Sequence, residues 1–213
     1  MSMKKGAFII LLFILLVGCA GAPVREAVKV DLSLPVGKIE GDQFTGIRYP
    51  FKVSAPSHWK VTMEIPEFME ELGYEKGGLE ESQVFVFNPS TQSNLQIEFT
   101  PAGRHVKASQ EWIEWVTSLS TGSFKEELEK DYGKNVHVEI SPIEPVSLKG
   151  VQYAAKRFAT YTLKGVKREQ GWICAFSEPY QIFILHMILE KEGMDDRQDM
   201  KMILDSFEVI TKR

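Results

Sequence analysis

The sequence predicts an α+β fold, in which an antiparallel β-sheet is covered by helices on both faces as an α/β/α sandwich. Runs of alternating apolar and polar residues occur in both halves of the chain, and short turns rich in Pro, Gly, Ser and Asn join them. Apolar stripes of helical spacing occur only midway and at the end of the chain. Hairpin-joined strands with helices inserted between them predict this layered arrangement.

The first predicted strands form two pairs. Residues 48–54 and 59–65 flank a turn at Pro56 and Ser57, which predicts a hairpin. Residues 82–88 and 94–100 each alternate with period two, and residues 89–93 supply the turn between them. These four runs account for the first half of the predicted sheet.

A helix is predicted next, with Ser109 as its N-cap. Gly122 is expected to interrupt it, and a second helical segment is expected to end near Gly133. The apolar residues at helical spacing are Trp112, Trp115, Val116, Leu119, Phe124, Leu128 and Tyr132.

Four strands and a closing helix complete the pattern. The strands are predicted over residues 136–146, 151–163, 167–176 and 181–190. The last of them carries apolar residues on both alternating faces, so it should be a central strand covered on both sides. Met200, Ile203, Leu204 and Phe207 then form the stripe of a C-terminal helix.

The N-terminal segment predicts export. Lys4 and Lys5 precede an apolar run from Ala7 to Val17, which is too short to span a membrane comfortably. Leu16, Val17, Gly18 and Cys19 follow in the order that resembles the lipobox of bacterial lipoproteins. This resemblance implies cleavage before Cys19 and acylation of Cys19, so that acyl chains hold the protein on a membrane. The alternatives are an ordinary signal peptide with an incidental Cys19, or an uncleaved membrane helix.

The sequence therefore predicts three segments: a signal peptide at 1–18, a lipidated tether at 19–43 and one domain at 44–213. In the lipoproteins that this segment resembles, Asp after the cysteine favours the inner membrane, whereas Ala20 stands here. For a Gram-negative source this favours the periplasmic face of the outer membrane. If Cys19 is acylated, Cys174 has no intramolecular disulfide partner, and a bridge between the two is open only if Cys19 is free.

Charge argues against a nucleic-acid partner. The whole chain has 25 basic and 29 acidic residues, and removal of residues 1–18 takes away two lysines. The mature domain is therefore acidic, without the broadly basic surface that nucleic acid requires.

Landmarks at both ends of the domain resemble the PsbP-like superfamily. They are Tyr49-Pro50-Phe51-Lys52-Val53, then Pro56 and Trp59, and finally Ile203-Leu204-Asp205-Ser206-Phe207. The superfamily includes the extrinsic photosystem II protein, a nuclear-transport Ran-binding protein and many bacterial lipoproteins. The resemblance implies the α/β/α sandwich and a non-enzymatic, partner-binding role, but none of the functional residues of the family maps onto this chain.

Catalytic and metal-binding motifs are missing from the sequence. The histidines His58, His105, His137 and His186 form no closely spaced ligand pair, so we expect no metal site and no cofactor. His186 is either a hydrogen-bonded core residue or a ligand or base, and Cys174 is either a buried inert thiol or a nucleophile. There is no Gly-x-Ser-x-Gly elbow, phosphate-binding loop or dinucleotide fingerprint. We therefore expect no enzyme and no catalytic residue.

Three side chains are candidates for binding a partner. Trp112 and Trp115 could form an exposed aromatic anchor, although core packing is the alternative. Phe68 lies in the acidic stretch 64–81, which is either a mobile flap or a solvated short helix and loop. The sequence thus favours a membrane-anchored envelope lipoprotein that binds an envelope protein as an assembly accessory. The alternatives are a carrier of a small ligand or lipid, and an enzyme with an unrecognised site around Cys174 or His186.

Overall fold

A computed structural model describes residues 28–74, 76–133, 136–191 and 194–210. Within these residues the strands form two antiparallel sheets, and four helices pack on them. The strands are β1 (Gly37–Glu40), β2 (Gln43–Gly46), β3 (Phe51–Ser54), β4 (Lys60–Thr62), β5 (Ser82–Phe87), β6 (Asn94–Pro101), β7 (Val138–Ile140), β8 (Glu144–Pro145), β9 (Tyr153–Leu163), β10 (Val166–Ser177), β11 (Tyr180–Leu189) and β12 (Glu208–Val209). The helices are α1 (Phe68–Glu71), α2 (Lys76–Glu81), α3 (Gln110–Tyr132) and α4 (Arg197–Ser206).

The large sheet has eight strands in the order β4-β5-β6-β11-β10-β9-β7, with β8 also paired to β9. Strand β11 lies in the middle of this order, between β6 and β10. This confirms the prediction that the apolar run 181–190 is a central strand. The strands predicted over 151–163, 167–176 and 181–190 are confirmed as β9, β10 and β11, whereas the run 136–146 forms two short strands, β7 and β8.

The small sheet has four strands in the order β1-β2-β3-β12. It covers one face of the large sheet together with α4, and an aromatic core lies between the layers. Phe51 of β3 stacks on Phe99 of β6 with ring centroids 4.6 Å apart. Met200 and Ile203 of α4 are buried in the same cluster. This face is therefore closed by a second sheet and one helix, whereas the sequence predicted helices alone.

Helices cover the other face of the large sheet. Helix α3 packs over β9 and β10, where Ile113 is buried among the side chains of Ala155, Ala159, Trp172 and Cys174. The alanines leave room for the helix to approach the sheet closely. The short helices α1 and α2 cover β5 through a separate cluster that contains Met69, Leu79 and Phe85.

The predicted N-cap of helix α3 is confirmed, and its predicted interruption at Gly122 is wrong. The Ser109 hydroxyl accepts a hydrogen bond from the Trp112 backbone N–H at 3.2 Å. The helix continues through Gly122, because this glycine lies in open space and its helical cost of about 1 kcal/mol is tolerable. It ends at Gly133, which has the positive φ of 82° that favours glycine.

Two further predictions are wrong. Runs 48–54 and 59–65 form no hairpin, because β3 pairs with β2 and β12 whereas β4 pairs with β5 of the large sheet. The turn in which the Trp59 N–H donates to the Pro56 carbonyl carries the chain from one sheet to the other. The domain also begins before residue 44, since β1 starts at Gly37 and Val30 packs against the core.

Candidate partner-binding site

Helix α3 separates the two tryptophans that the sequence placed together. Trp112 turns toward the sheet and makes an edge contact with Phe176 at a centroid distance of 6.5 Å. Trp115 is 57% exposed. Trp112 thus has the core-packing role that was its alternative, and Trp115 is the tryptophan that solvent or a partner can reach.

A second apolar side chain lies beside Trp115. Leu119 is 53% exposed and lies one turn further along the helix, where side chains four residues apart are neighbours. We call Trp115 and Leu119 the Trp115 rim. The spacing of Leu119 along the sequence places it with the apolar stripe of the helix. Ile113 and Thr117 are buried and mark the side of the helix that faces the sheet. Leu119 is rotated away from that side about the helix axis, and this rotation predicts that its side chain is exposed.

The Trp115 rim lies on the helix-covered face of the large sheet, on the side of α3 away from β9. On one side of α3, the Gln110 side chain donates to the Ala154 carbonyl of β9, and Arg157 of β9 donates to the Thr121 hydroxyl. The side of α3 that carries Leu119 therefore faces away from β9, toward β11.

Helices α1 and α2 lie on the same face of the large sheet, over β5 and one end of β11. Between the two helical covers, β6 and β11 present Glu98, Phe183 and Leu185. We call these three half-buried residues, together with the Trp115 rim, the helix-side groove.

Glu98 gives the groove an acidic floor. It lies on the helix-covered face with Gln96, and the pKa of its carboxyl is raised, first by burial and then by the charge of Glu81. A partly buried carboxylate beside a second carboxylate favours the approach of a cation. The groove therefore combines an apolar rim with a negative interior.

The acidic segment that contains Phe68 is docked on the sheet. The Phe68 ring meets Phe87 of β5 edge-on at 5.2 Å and is half-buried, while Met69 beside it is fully buried. The segment forms α1 and α2, as the short helix and loop alternative expected. Phe68 therefore packs on β5 and presents only part of its ring to solvent.

Cys174 and His186 lie on opposite faces of the large sheet. His186 pairs directly with Gly171 of β10, so the two share a face. Cys174 is three positions further along β10 and therefore points to the other face, where it packs beneath α3 with 5% exposure. The two side chains cannot form the nucleophile and base pair that the enzyme alternative would use.

His186 lies against the backbone of the neighbouring strand. A methyl group on Gly171 would stand 2.1 Å from the ring carbon Cε1, so the absence of a side chain at Gly171 makes room for the ring. The buried Nδ1 atom has no hydrogen-bond partner. Burial and, to a smaller extent, the charge of Lys156 lower the pKa of His186 to about 4. The side chain is therefore neutral at pH 7.

Two open clefts lie elsewhere. The first, of about 810 Å³, runs along the free edge of β4 and is lined by Asp42, Trp59, Lys60, Thr62, Glu64 and Phe87 among others. The second, of about 540 Å³, lies near the β9–β10 turn and is lined by His137, Thr160, Tyr161, Lys164 and Lys167 among others. The β9–β10 turn borders the second cleft, where Lys167 forms an ion pair with Glu190 at 3.1 Å.

Neither a metal centre nor a spanning helix is found in the part of the chain that the structure describes. No group of three or more His, Cys, Asp or Glu side chains there could hold a metal ion. None of the helices in the same residues has both the length and the apolarity to cross a membrane. The predicted lipobox residues Leu16, Val17 and Gly18 and the acylation site Cys19 lie outside the described residues.

Comparison with solved structures shows the fold. The cyanobacterial PsbP protein (CyanoP) from Synechocystis sp. PCC 6803 is 10% identical, with a TM-score of 0.52 over 89% of this chain and 100% of that one. This similarity confirms the predicted PsbP-like α+β fold. No protein-family model and no curated protein matches the sequence.

Two other solved structures are less similar. A protein from Bacteroides thetaiotaomicron VPI-5482 is 12% identical, with a TM-score of 0.47 over 82% of this chain and 50% of that one. LpqN from Mycobacterium tuberculosis, described as involved in cell envelope biogenesis, is 10% identical, with a TM-score of 0.44 over 74% of this chain and 82% of that one. At these TM-scores the two similarities say nothing about the function of this chain.

Proposed function

We propose that this protein is a lipid-anchored envelope lipoprotein whose PsbP-like domain is a non-enzymatic binding accessory. In this proposal the acyl chains on Cys19 hold the domain at a membrane, and the helix-side groove captures an envelope protein. The observation that carries the binding role is the Trp115 rim, in which two large apolar side chains remain more than half exposed on the solvent side of a helix that packs on the sheet.

Exposed tryptophan is a strong basis for a binding surface. Tryptophan is enriched among the few residues that supply most of the affinity of protein interfaces, because it buries a large area at a small entropic cost. Leu119 beside it extends the patch, and Trp112 below fixes the helix on the sheet. A rigid helix that presents an aromatic anchor meets the requirement that an interface be preorganised.

The charge of the groove indicates the kind of partner. Glu81 of α2 is near enough to Glu98 for their charges to interact, and Glu111 and Glu114 are on the same helix as the Trp115 rim. A segment with an apolar side chain for Trp115 and a Lys or Arg for the acidic floor would complement both features. We therefore propose a partner with a basic, apolar segment.

Site-specific crosslinking tests the binding role. A photoreactive amino acid is placed at position 115 of the full-length protein in its native cells, with the same substitution at Lys125 as the matched control. Lys125 is exposed on the same helix but off the rim. We expect one discrete adduct from position 115 that disappears when Leu119→Ser is added. Equal adducts from both positions, or none from position 115, would contradict the proposal.

Intact mass spectrometry of the membrane-extracted protein tests the anchor. We expect a chain that begins at Cys19 and carries added acyl mass, and a Cys19→Ala variant that lacks this mass. An unacylated chain cut at another position would remove the lipid anchor from the proposal.

A second candidate function is carriage of a small ligand. The cleft of about 810 Å³ along β4 favours it, because its volume is in the range of sites for small molecules and its lining combines Trp59 and Phe87 with Asp42, Lys60 and Glu64. Native mass spectrometry of the untagged protein discriminates this function, since a carrier should retain a ligand that is lost on unfolding.

A further inference from the structure

Three exposed apolar side chains surround the point where the chain enters the fold. Leu32 is 73% exposed, Leu34 is 41% exposed and Ile47 is 46% exposed. Single apolar residues on a surface are ordinary, but a group gathered at one place indicates an interaction surface. We call these three residues the entry patch.

Hydrogen bonds hold the entry patch together. One Arg48 nitrogen, Nη2, donates to the backbone carbonyls of Leu32 at 3.3 Å and of Leu34 at 2.9 Å. Ser33 donates from its backbone N–H and from its hydroxyl to the same Asp31 oxygen, at 2.9 Å and 2.5 Å. The turn is thereby fixed by its own polar groups, and both leucine side chains are left pointing outward although Val30 beside them packs against the core.

Ile47 is tied to the same turn. Its backbone N–H and that of Arg48 both donate to the Val36 carbonyl, at 3.0 Å and 3.2 Å. The next residue, Tyr49, is buried and contacts the ring of Tyr180 edge-on at 5.4 Å. The entry patch therefore lies at the end of the large sheet where β10 turns into β11.

The chain between Cys19 and the core is short. Since Val30 already packs against the core, only residues 20–29 separate it from Cys19, and these can span at most about 40 Å when fully extended. This reach is about the length of β10, which has 12 residues at roughly 3.3 Å each. Because the tether leaves the core beside the entry patch, a membrane that holds Cys19 lies within about 40 Å of the patch, whereas the β9–β10 turn lies at the opposite end of the sheet.

We propose that the entry patch is a membrane-contact surface, in which Leu32, Leu34 and Ile47 enter the interfacial layer of the leaflet that holds the acyl chains of Cys19. This inference rests on the proposed lipid anchor. Exposed apolar side chains beside an anchored segment gain free energy by leaving water, and the anchor keeps the bilayer surface within their reach. The patch would orient the domain with its β9–β10 turn away from the membrane.

Fluorescence in vesicles tests this orientation. The mature acylated protein, in a Cys174→Ala background, is reconstituted into phosphatidylethanolamine and phosphatidylglycerol vesicles with one environment-sensitive label. The label is attached at Leu32→Cys or, as the control, at Thr162→Cys, which is an exposed position beside the β9–β10 turn. Lipids that carry a nitroxide near the headgroup quench labels in the interfacial layer. Circular dichroism verifies that both variants are folded.

The expected result is emission at shorter wavelength from position 32 and quenching at least about threefold stronger than at position 162. Equal emission and quenching at the two positions in acylated protein would overturn the inference and leave the anchor intact. A shift at position 32 without lipid quenching would also overturn it, because the patch would then contact protein.

Mass spectrometry of the same sample separates failure of the anchor from failure of the patch. If the protein is not acylated, the proposed lipid anchor fails and the inference that rests on it fails as well.

Discussion

Acidification should destabilise the protein through His186. The half-buried ring has its Nδ1 atom enclosed without a partner, and its pKa is lowered from 6.5 to about 4 by burial and by Lys156 of β9. Between these two pH values the unfolded chain binds a proton that the folded chain does not bind. The free energy of unfolding therefore rises with pH across this window and falls as the pH drops from 6.5 toward 4.

The size of this effect follows from the lowered pKa. The difference between the pKa of His186 in the unfolded chain and in the folded chain corresponds to about 3 kcal/mol of free energy of unfolding, since one pKa unit is worth about 1.4 kcal/mol. At pH 5 the folded ring is still mostly neutral, so about 2 kcal/mol is lost relative to neutral pH. Solvent at the exposed part of the ring reduces this, and we expect a loss of about 1 to 2 kcal/mol.

Urea unfolding at pH 7.5 and at pH 5 measures the loss. The His186→Gln variant cannot gain the proton, so its free energy of unfolding should fall less than that of the unsubstituted protein by about 1 to 2 kcal/mol. His137→Gln is the matched control, because His137 is exposed and its removal should leave the loss unchanged. Equal losses in the unsubstituted protein and in His186→Gln would refute the reasoning.

Three other substitutions or probes test the packing. Gly171→Ala would place a methyl group 2.1 Å from the His186 ring, so it should lower the free energy of unfolding by about 1 to 3 kcal/mol in urea titrations. Ser109→Ala removes the acceptor of the Trp112 N–H and should cost about 1 kcal/mol by the same measurement, whereas Ser109→Asp should retain most of the stability. Cys174 is buried beneath α3, so a thiol reagent should label it only at the rate of unfolding, and rapid labelling of the folded protein would contradict its placement.

The parts of the fold that were predicted correctly carry their own local pattern. Strands β6 and β11 are long enough for the alternation of their side chains to stand out. The stripe of α4 also agrees with its buried residues, Met200 and Ile203. In each case the order of apolar and polar residues predicts whether one face or both faces of the element are buried.

Such local patterns do not predict which distant strands pair with each other. Strands β1 and β2 have only four residues each and pair across a tight turn, so they show too little alternation to be recognised. The false hairpin arose because the turn at Pro56 has the local composition of a hairpin loop. Strand β3 also pairs with β12, which lies about 150 residues further along the chain. No local sequence signal specifies a contact between segments so far apart.

The orientation of the tryptophans was obscured by a polar residue in the core. Thr117 is fully buried under α3, where its hydroxyl donates to the Ile113 carbonyl at 2.8 Å. Because threonine is a polar residue, the sequence pattern centres the apolar stripe on Trp112 and Trp115, whereas the side of the helix that faces the sheet runs through Ile113 and Thr117. The exposure of Trp115 follows once this line is known.

The direction of α3 relates the Trp115 rim to the entry patch. The helix begins where Gln110 bonds to Ala154, toward the sheet end that carries the entry patch, and Leu128 near its other end packs with Leu163 at the β9–β10 turn. Trp115 lies only about 8 Å along the helix axis from Gln110, at 1.5 Å per residue. If the entry patch rests on a membrane, the rim lies in the membrane-proximal half of the domain. A partner captured there would then have to present its basic, apolar segment close to the same bilayer, which restricts the proposed partners to membrane proteins and proteins held at that surface.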